Sequence, residues 1–159
     1  STRIASWLLE QGVSRGDRVA LFMSNHPLLA VCIYAASRAG AVAVPLNPLL
    51  RSREVAYLLE DVEAELVIVD AARLKVVEEA AGGSRRVACT EGGGGLDLRQ
   101  AFLAPRPPPS VEVDPGDVVL IQYTAGTTGE PKGAMLTHRG LVFDASAIAE
   151  VVELRRGDG

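Results

Sequence analysis

Aromatic side chains are scarce in this chain. Of 159 residues one is Trp, three are Tyr and three are Phe, 4% in all, so Val, Ala, Leu and Ile must fill any core. An aliphatic, alanine-rich interior suits helices packed on a parallel sheet. Cysteine is scarce too: Cys32 and Cys89 lie far apart and form no C-x-x-C pair. That spacing excludes a disulfide framework and the usual zinc sites, and leaves two buried, reduced thiols of a cytosolic protein as the expectation. Basic clusters are missing. The net charge is −4 and Lys and Arg are scattered, with no basic stripe interleaved with aromatics, which excludes a nucleic-acid footprint. No apolar run reaches the ~18 residues of a membrane span, and no signal-peptide pattern opens the chain. Small molecules are therefore the expected partners, with no nucleic acid and no integral membrane segment.

An initiator Met is absent as well. The chain opens on Ser1 with a helical pattern and stops at "RRGDG" directly after another. We expect a fragment of a longer protein. Its 159 residues suffice for one domain, and 48% hydrophobic with 23% charged residues is a globular balance.

Strand-length apolar runs alternate with helical patterns. "TRIASWLLEQ" places Ile4, Trp7, Leu8 and Ala5 on one helix side, and Gly12 ends it. "RVALFMS" is strand-like. Pro27 then opens a helix that Gly40 stops, since proline is tolerated at the first helical position. "AVAVPLN" reads as a second strand. "RSREVAYLLEDV" follows with Ser52 as the expected cap and Val55, Leu58, Leu59 and Val62 on one face. "AELVIVD" is a strand, "AARLKVVEEAAGG" a helix and "RRVACT" a short strand. "EGGGG" reads as a surface turn, "LDLRQAFL" as a short helix and "APRPPPSVEVDPGD" as a proline-rich connector. The strands are too apolar to have a wet face. The fold class expected is α/β, with alternating βαβ units and a mostly parallel sheet covered by helices.

The last segment is different. "VVLIQYT", Val118 to Thr124, reads as the clearest buried strand and runs into "YTAGTTGEPKGAMLTH", Tyr123 to His138. Glycines let backbone N–H groups turn inward around an anion, threonine hydroxyls add donors, and a lysine supplies a point charge. Thr124, Gly126, Thr127, Thr128, Gly129 and Lys132 provide all three. The common phosphate loop needs G-x-x-x-x-G-K-[ST] opening a helix, whereas Pro131 precedes this lysine and Gly133 follows it. The layout expected is strand, loop, strand, then a helix from about Thr137 with Leu141, Ala145, Ile148 and Val152 as its buried stripe. From the residues alone, a phosphate loop and a plain hairpin turn both remain open, although a hairpin needs only a couple of turn residues.

"YTAGTTGEPKGAMLTH" closely resembles the phosphate-loop signature of the acyl-adenylate-forming (AMP-binding) superfamily, which includes acyl-CoA synthetases, luciferases and peptide-synthetase adenylation domains. "GVSRGDRVALFMSNHP", "AASRAGAVAVPLNP" and "REVAYLLEDVEAELVIVD" also resemble the family's N-terminal region, in order. The resemblance covers essentially the whole chain and is strongest to fatty acyl-CoA synthetases. Peptide-synthetase adenylation domains more often carry serine at the second loop threonine.

The resemblance implies that the full-length protein activates a carboxylic acid with ATP. The carboxylate attacks the α-phosphorus, giving acyl-AMP and pyrophosphate, and a thiol such as coenzyme A then displaces AMP. It also implies that Thr124, Ala125, Gly126, Thr127, Thr128, Gly129, Glu130, Pro131 and Lys132 wrap the β- and γ-phosphates. Within that loop Thr127 and Thr128 donate hydroxyls, Lys132 neutralises charge and Thr124 reaches Mg²⁺. Ala125 stands where serine, threonine or glycine is usual, which removes one donor worth about 1 kcal/mol. His138 is expected to orient the start of the last helix, and no catalytic residue is assigned.

By the same resemblance the chain is a partial N-terminal AMP-binding domain. It divides into a βαβ part, residues 1–104, a connector, 105–117, and strand, loop, strand and helix, 118–159. The family's later elements lie outside it, so the segment alone is expected to be inactive. A peptide-synthetase adenylation unit and a non-catalytic nucleotide-binding module are the alternatives.

Overall fold

The computed structural model describes residues 1–83, 85–93, 95–103, 105–124 and 131–152. Its centre is a seven-stranded sheet in the order β5-β4-β3-β1-β2-β6-β7. The strands are β1 (Arg18–Phe22), β2 (Val42–Pro45), β3 (Leu66–Val69), β4 (Arg86–Cys89), β5 (Leu96–Asp97), β6 (Val118–Thr124) and β7 (Lys132–Thr137). Every neighbouring pair is parallel except β6 and β7, which are antiparallel. The expected mostly parallel sheet is what the chain forms.

Alternation along the strands explains the layers. Val19 and Leu21 of β1 join Leu66 and Ile68 of β3 in one apolar cluster, while Ala20, Phe22, Val67 and Val69 join another. Successive side chains of a strand point to opposite faces, so these are the two sides of one sheet. The first side is covered by α1 (Thr2–Glu10), α2 (Pro27–Arg38) and α5 (Gln100–Leu103), through Ile4, Trp7, Leu8, Ala35, Ala36 and Ala101. The second is covered by α3 (Ser52–Asp61) and α4 (Leu74–Ala81), through Val55, Leu58, Leu59 and Val77. Cys32 and Cys89 are buried free thiols, as expected, and burial pushes Cys32 up to about 12, which keeps it neutral.

Helix ends follow local chemistry. Pro27 sits at the start of α2, where His26 Nδ1 accepts from the Leu28 amide at 3.2 Å. Gly40 follows that helix at φ 71°, a left-handed conformation that favours glycine. Ser52, expected as the cap of α3, is instead its first helical residue. The free Arg51 N–H is taken by the Glu54 carboxylate at 2.9 Å, and Ser52 Oγ donates to Glu79 at 2.6 Å. "LDLRQAFL" is likewise not one helix. Leu96–Asp97 adds a two-residue parallel strand to β4, and only Gln100–Leu103 is helical. The Asp97 side chain accepts the Arg99 N–H at 2.9 Å, which forms a turn between them.

Two expectations about the last segment fail for one reason. β6 is not the best-buried strand: only Val119 is buried, whereas all four residues of β3 are. The last helix, α6 (His138–Val151), has no buried residue, and Ile148 and Val152 of its expected stripe are 61% and 59% exposed. The apolar pattern is there, but among the described residues nothing is packed over it.

Candidate functional site

Parallel strands point their carboxyl ends the same way, and ligands of open α/β sheets bind outside that edge. Here the edge is organised by a polar staple. Arg73 donates to the Pro48 carbonyl at 2.9 Å, to Ser24 Oγ at 2.9 Å and to Asp70 Oδ2 at 2.6 Å. Asp70 Oδ2 also accepts from the Ser24 amide at 2.8 Å. One guanidinium thus joins the segments that leave β1, β2 and β3. Burial alone would raise the Asp70 carboxyl, but the hydrogen bonds from Arg73 and Ser24 outweigh it and hold the group below the usual carboxylate range.

Beside this edge, β6 and β7 form an antiparallel pair whose last register partners are Thr124 and Lys132. Thr124 Oγ1 faces the Lys132 carbonyl at 3.5 Å, the long limit of a hydrogen bond. Both residues and Pro131 are exposed. Lys132 makes no salt bridge among the described residues, so its ammonium group is available to an anion. The two expected strands are therefore present, with the threonine at the end of one and the lysine at the start of the other. Ala125, Gly126, Thr127, Thr128, Gly129 and Glu130, expected to wrap phosphate, lie outside the described residues.

Thr124 lines a cavity of about 500 Å³ between the tips of β2 and β6 and helix α3, with Asn47, Leu58, Tyr123 and Pro131 also in its wall. A second hollow, of about 550 Å³, lies beside the Arg15–Asp117 ion pair at the amino ends of the strands. That is the wrong edge for Thr124 and Lys132, and we assign the site to the first. The start of α6 is held by Thr137, whose Oγ1 accepts the Gly140 amide at 3.1 Å. His138, expected to do this, contributes its backbone N–H to the Asp117 carbonyl at 3.1 Å. Sequence reasoning missed Asp70, Arg73 and Tyr123, because the Ser24, Pro48 and Asp61 groups they bond lie 25 to 62 positions away. No group of three or more His, Cys, Asp or Glu able to hold a metal occurs among the described residues.

Comparison with known proteins fits this geometry. The AMP-binding enzyme family profile matches residues 1–158, and the chain belongs to that family. It is 34% identical over 160 residues to the long-chain-fatty-acid–CoA ligase FadD13 of Mycobacterium tuberculosis, covering 99% of this chain and 32% of that protein. It is 41% identical over 143 residues to a feruloyl-CoA synthase of Amycolatopsis sp, covering 89% of this chain and 27% of that protein. The crystal structure of ATP-bound MatB from Rhodopseudomonas palustris superposes with a TM-score of 0.81 at 31% identity, covering 94% of this chain and 30% of that one. The chain thus spans about a third of the length of these relatives.

Proposed function

We propose that the full-length protein is an AMP-forming acid–thiol ligase and that this segment grips the phosphates of ATP. The observation that carries the reading is the register pair Thr124 and Lys132, at the end of β6 and the start of β7, with Thr124 in the wall of a cavity at the carboxyl edge of the sheet. Phosphoryl chemistry asks the protein mainly for positioning and charge neutralisation. Lys132, which makes no salt bridge among the described residues, places a positive charge where the departing pyrophosphate would lie. Residues 125–130 complete the grip with amides and the hydroxyls of Thr127 and Thr128.

Mg²⁺ would arrive with the nucleotide, because the described residues offer it a hydroxyl, Thr124, and no carboxylate cluster. When bound, it neutralises charge on the phosphate oxygens. Coenzyme A is the proposed acceptor and a fatty acid the proposed substrate. An aromatic acid is the competitor, since the feruloyl-CoA synthase match is of similar strength. We place the protein in the cytoplasm on the grounds of its buried free thiols.

ATP–pyrophosphate exchange by the full-length protein, supplied separately with fatty and with hydroxycinnamic acids, tests the reading. Acid-dependent exchange with Mg²⁺ is expected, and exchange with no acid of either class would refute it. The 159-residue segment by itself should give no sustained thioester formation.

A further inference from the structure

The ladder pairing of β6 on β2 is a single pair, Ala43 with Leu120, and residues 123–124 extend past Pro45, the end of β2. On the outer side β6 meets only β7, which lies at the edge of the sheet. A two-stranded ribbon of this kind twists readily, and the site sits at its end.

One side chain spans this gap. Tyr123 alternates with Thr124, so it faces α3 and packs with Ile121 against the cluster below that helix. Its hydroxyl donates to Asp61 Oδ2 in the last turn of α3. Its ring lies over Gly133, its register partner on β7. A Cβ added at Gly133 would stand 3.3 Å from Tyr123 Cζ and 2.8 Å from Ile121 Cγ2, closer than a stiff β-branched side chain can accommodate. Tyr123 therefore meets α3 through its hydroxyl, belongs to β6 through its backbone, and packs its ring edge on Gly133 of β7. Burial, with the Asp61 bond and charge, raises the phenol, so the hydroxyl stays a donor.

We propose that Tyr123 and Asp61 are positioning residues for Thr124 and Lys132, at the facing ends of β6 and β7. Their bond sets the angle at which Thr124 and Lys132 meet the nucleotide, while neither side chain touches the phosphates. This rests on the ligase reading above. A hydroxyl already committed to Asp61 is not free to serve the ligand, which separates Tyr123 from the gripping residues.

The test uses the full-length enzyme with Tyr123→Phe, Asp61→Ala, Asp61→Asn and the double variant Tyr123→Phe/Asp61→Ala, read by KM for ATP, KM for the acid and kcat in pyrophosphate exchange. Tyr123→Phe keeps the ring and removes the donor. It should raise KM for ATP roughly 3- to 10-fold with KM for the acid unchanged. Asp61→Ala should do the same, and Asp61→Asn, which keeps an acceptor oxygen, should restore most of the loss. The double variant should be no worse than Tyr123→Phe, because both remove one bond.

An unchanged KM for ATP in Tyr123→Phe overturns the inference, as do Tyr123→Phe and Asp61→Ala effects that multiply. A lowered melting temperature with unchanged KM shows a purely structural bond and overturns it equally. If the wild-type enzyme shows no exchange with any acid, the ligase reading itself fails, which is a different result from normal exchange in the variants.

Discussion

Residues 1–103 and residues 118–152 use similar apolar patterns and reach opposite ends. In the first region β1 and β3 are buried on both faces, and helices on each side complete two cores. In the second, β6 is buried at Val119 alone and α6 at no residue, with Phe143 72% and Ile148 61% exposed. Apolar periodicity shows which face of an element is meant to be covered. It does not show whether the cover lies within the same stretch of chain. A segment spanning a third of its relatives' length can close its first cores and leave its last element open.

The largest effect that could break this contrast is in the closed region. Ile68 is fully buried in β3, so Ile68→Ala should cost about 2–5 kcal/mol in urea unfolding of the 159-residue chain. A loss below ~1 kcal/mol would mean that its core is not closed.

Next comes the staple. Asp70→Asn should cost about 1.5–3 kcal/mol at neutral pH through its bonds to Arg73 and Ser24. Because the folded carboxyl is held low, its stabilisation is present above the unfolded value of about 3.9 and fades as pH falls through the lower folded one. The gap between wild type and Asp70→Asn in unfolding experiments should therefore shrink below about pH 4. A gap constant from pH 7 to pH 3 would deny the depressed carboxyl.

The open region should respond weakly. Ile148→Ala should change the stability of the 159-residue chain by no more than about 0.5 kcal/mol. Exposed apolar patches also favour association. Light scattering should show self-association that Phe143→Ser with Ile148→Ser reduces, and a monodisperse wild-type monomer at high concentration would contradict it.

The sequence was informative wherever physics is local. Unbroken apolar runs in "RVALF" and "LVIV" marked buried strands, and Pro27 and Gly40 bounded a helix. It was silent where a partner comes from far away. Ser52 looked like a cap, but its hydroxyl is drawn to Glu79, 27 positions on. "LDLR" looked helical until pairing with β4 made Leu96–Asp97 a strand. The stripe of α6 was legible as apolar and not as uncovered. Within the site, Lys132 and Thr124 stood out by type and spacing. Tyr123 did not, because a tyrosine in a strand looks like core until Asp61 and Gly133 are seen beside it.

The central claim is that the ammonium group at the foot of β7 meets the phosphates of ATP. Replacing Lys132 with alanine in the full-length enzyme, and measuring kcat/KM for ATP in pyrophosphate exchange, tests it most directly. Losing one charge-assisted bond of ~1.5–3 kcal/mol predicts a fall of about 10- to 150-fold, with KM for the acid little changed. A Lys132→Ala enzyme with wild-type kcat/KM for ATP would contradict the account.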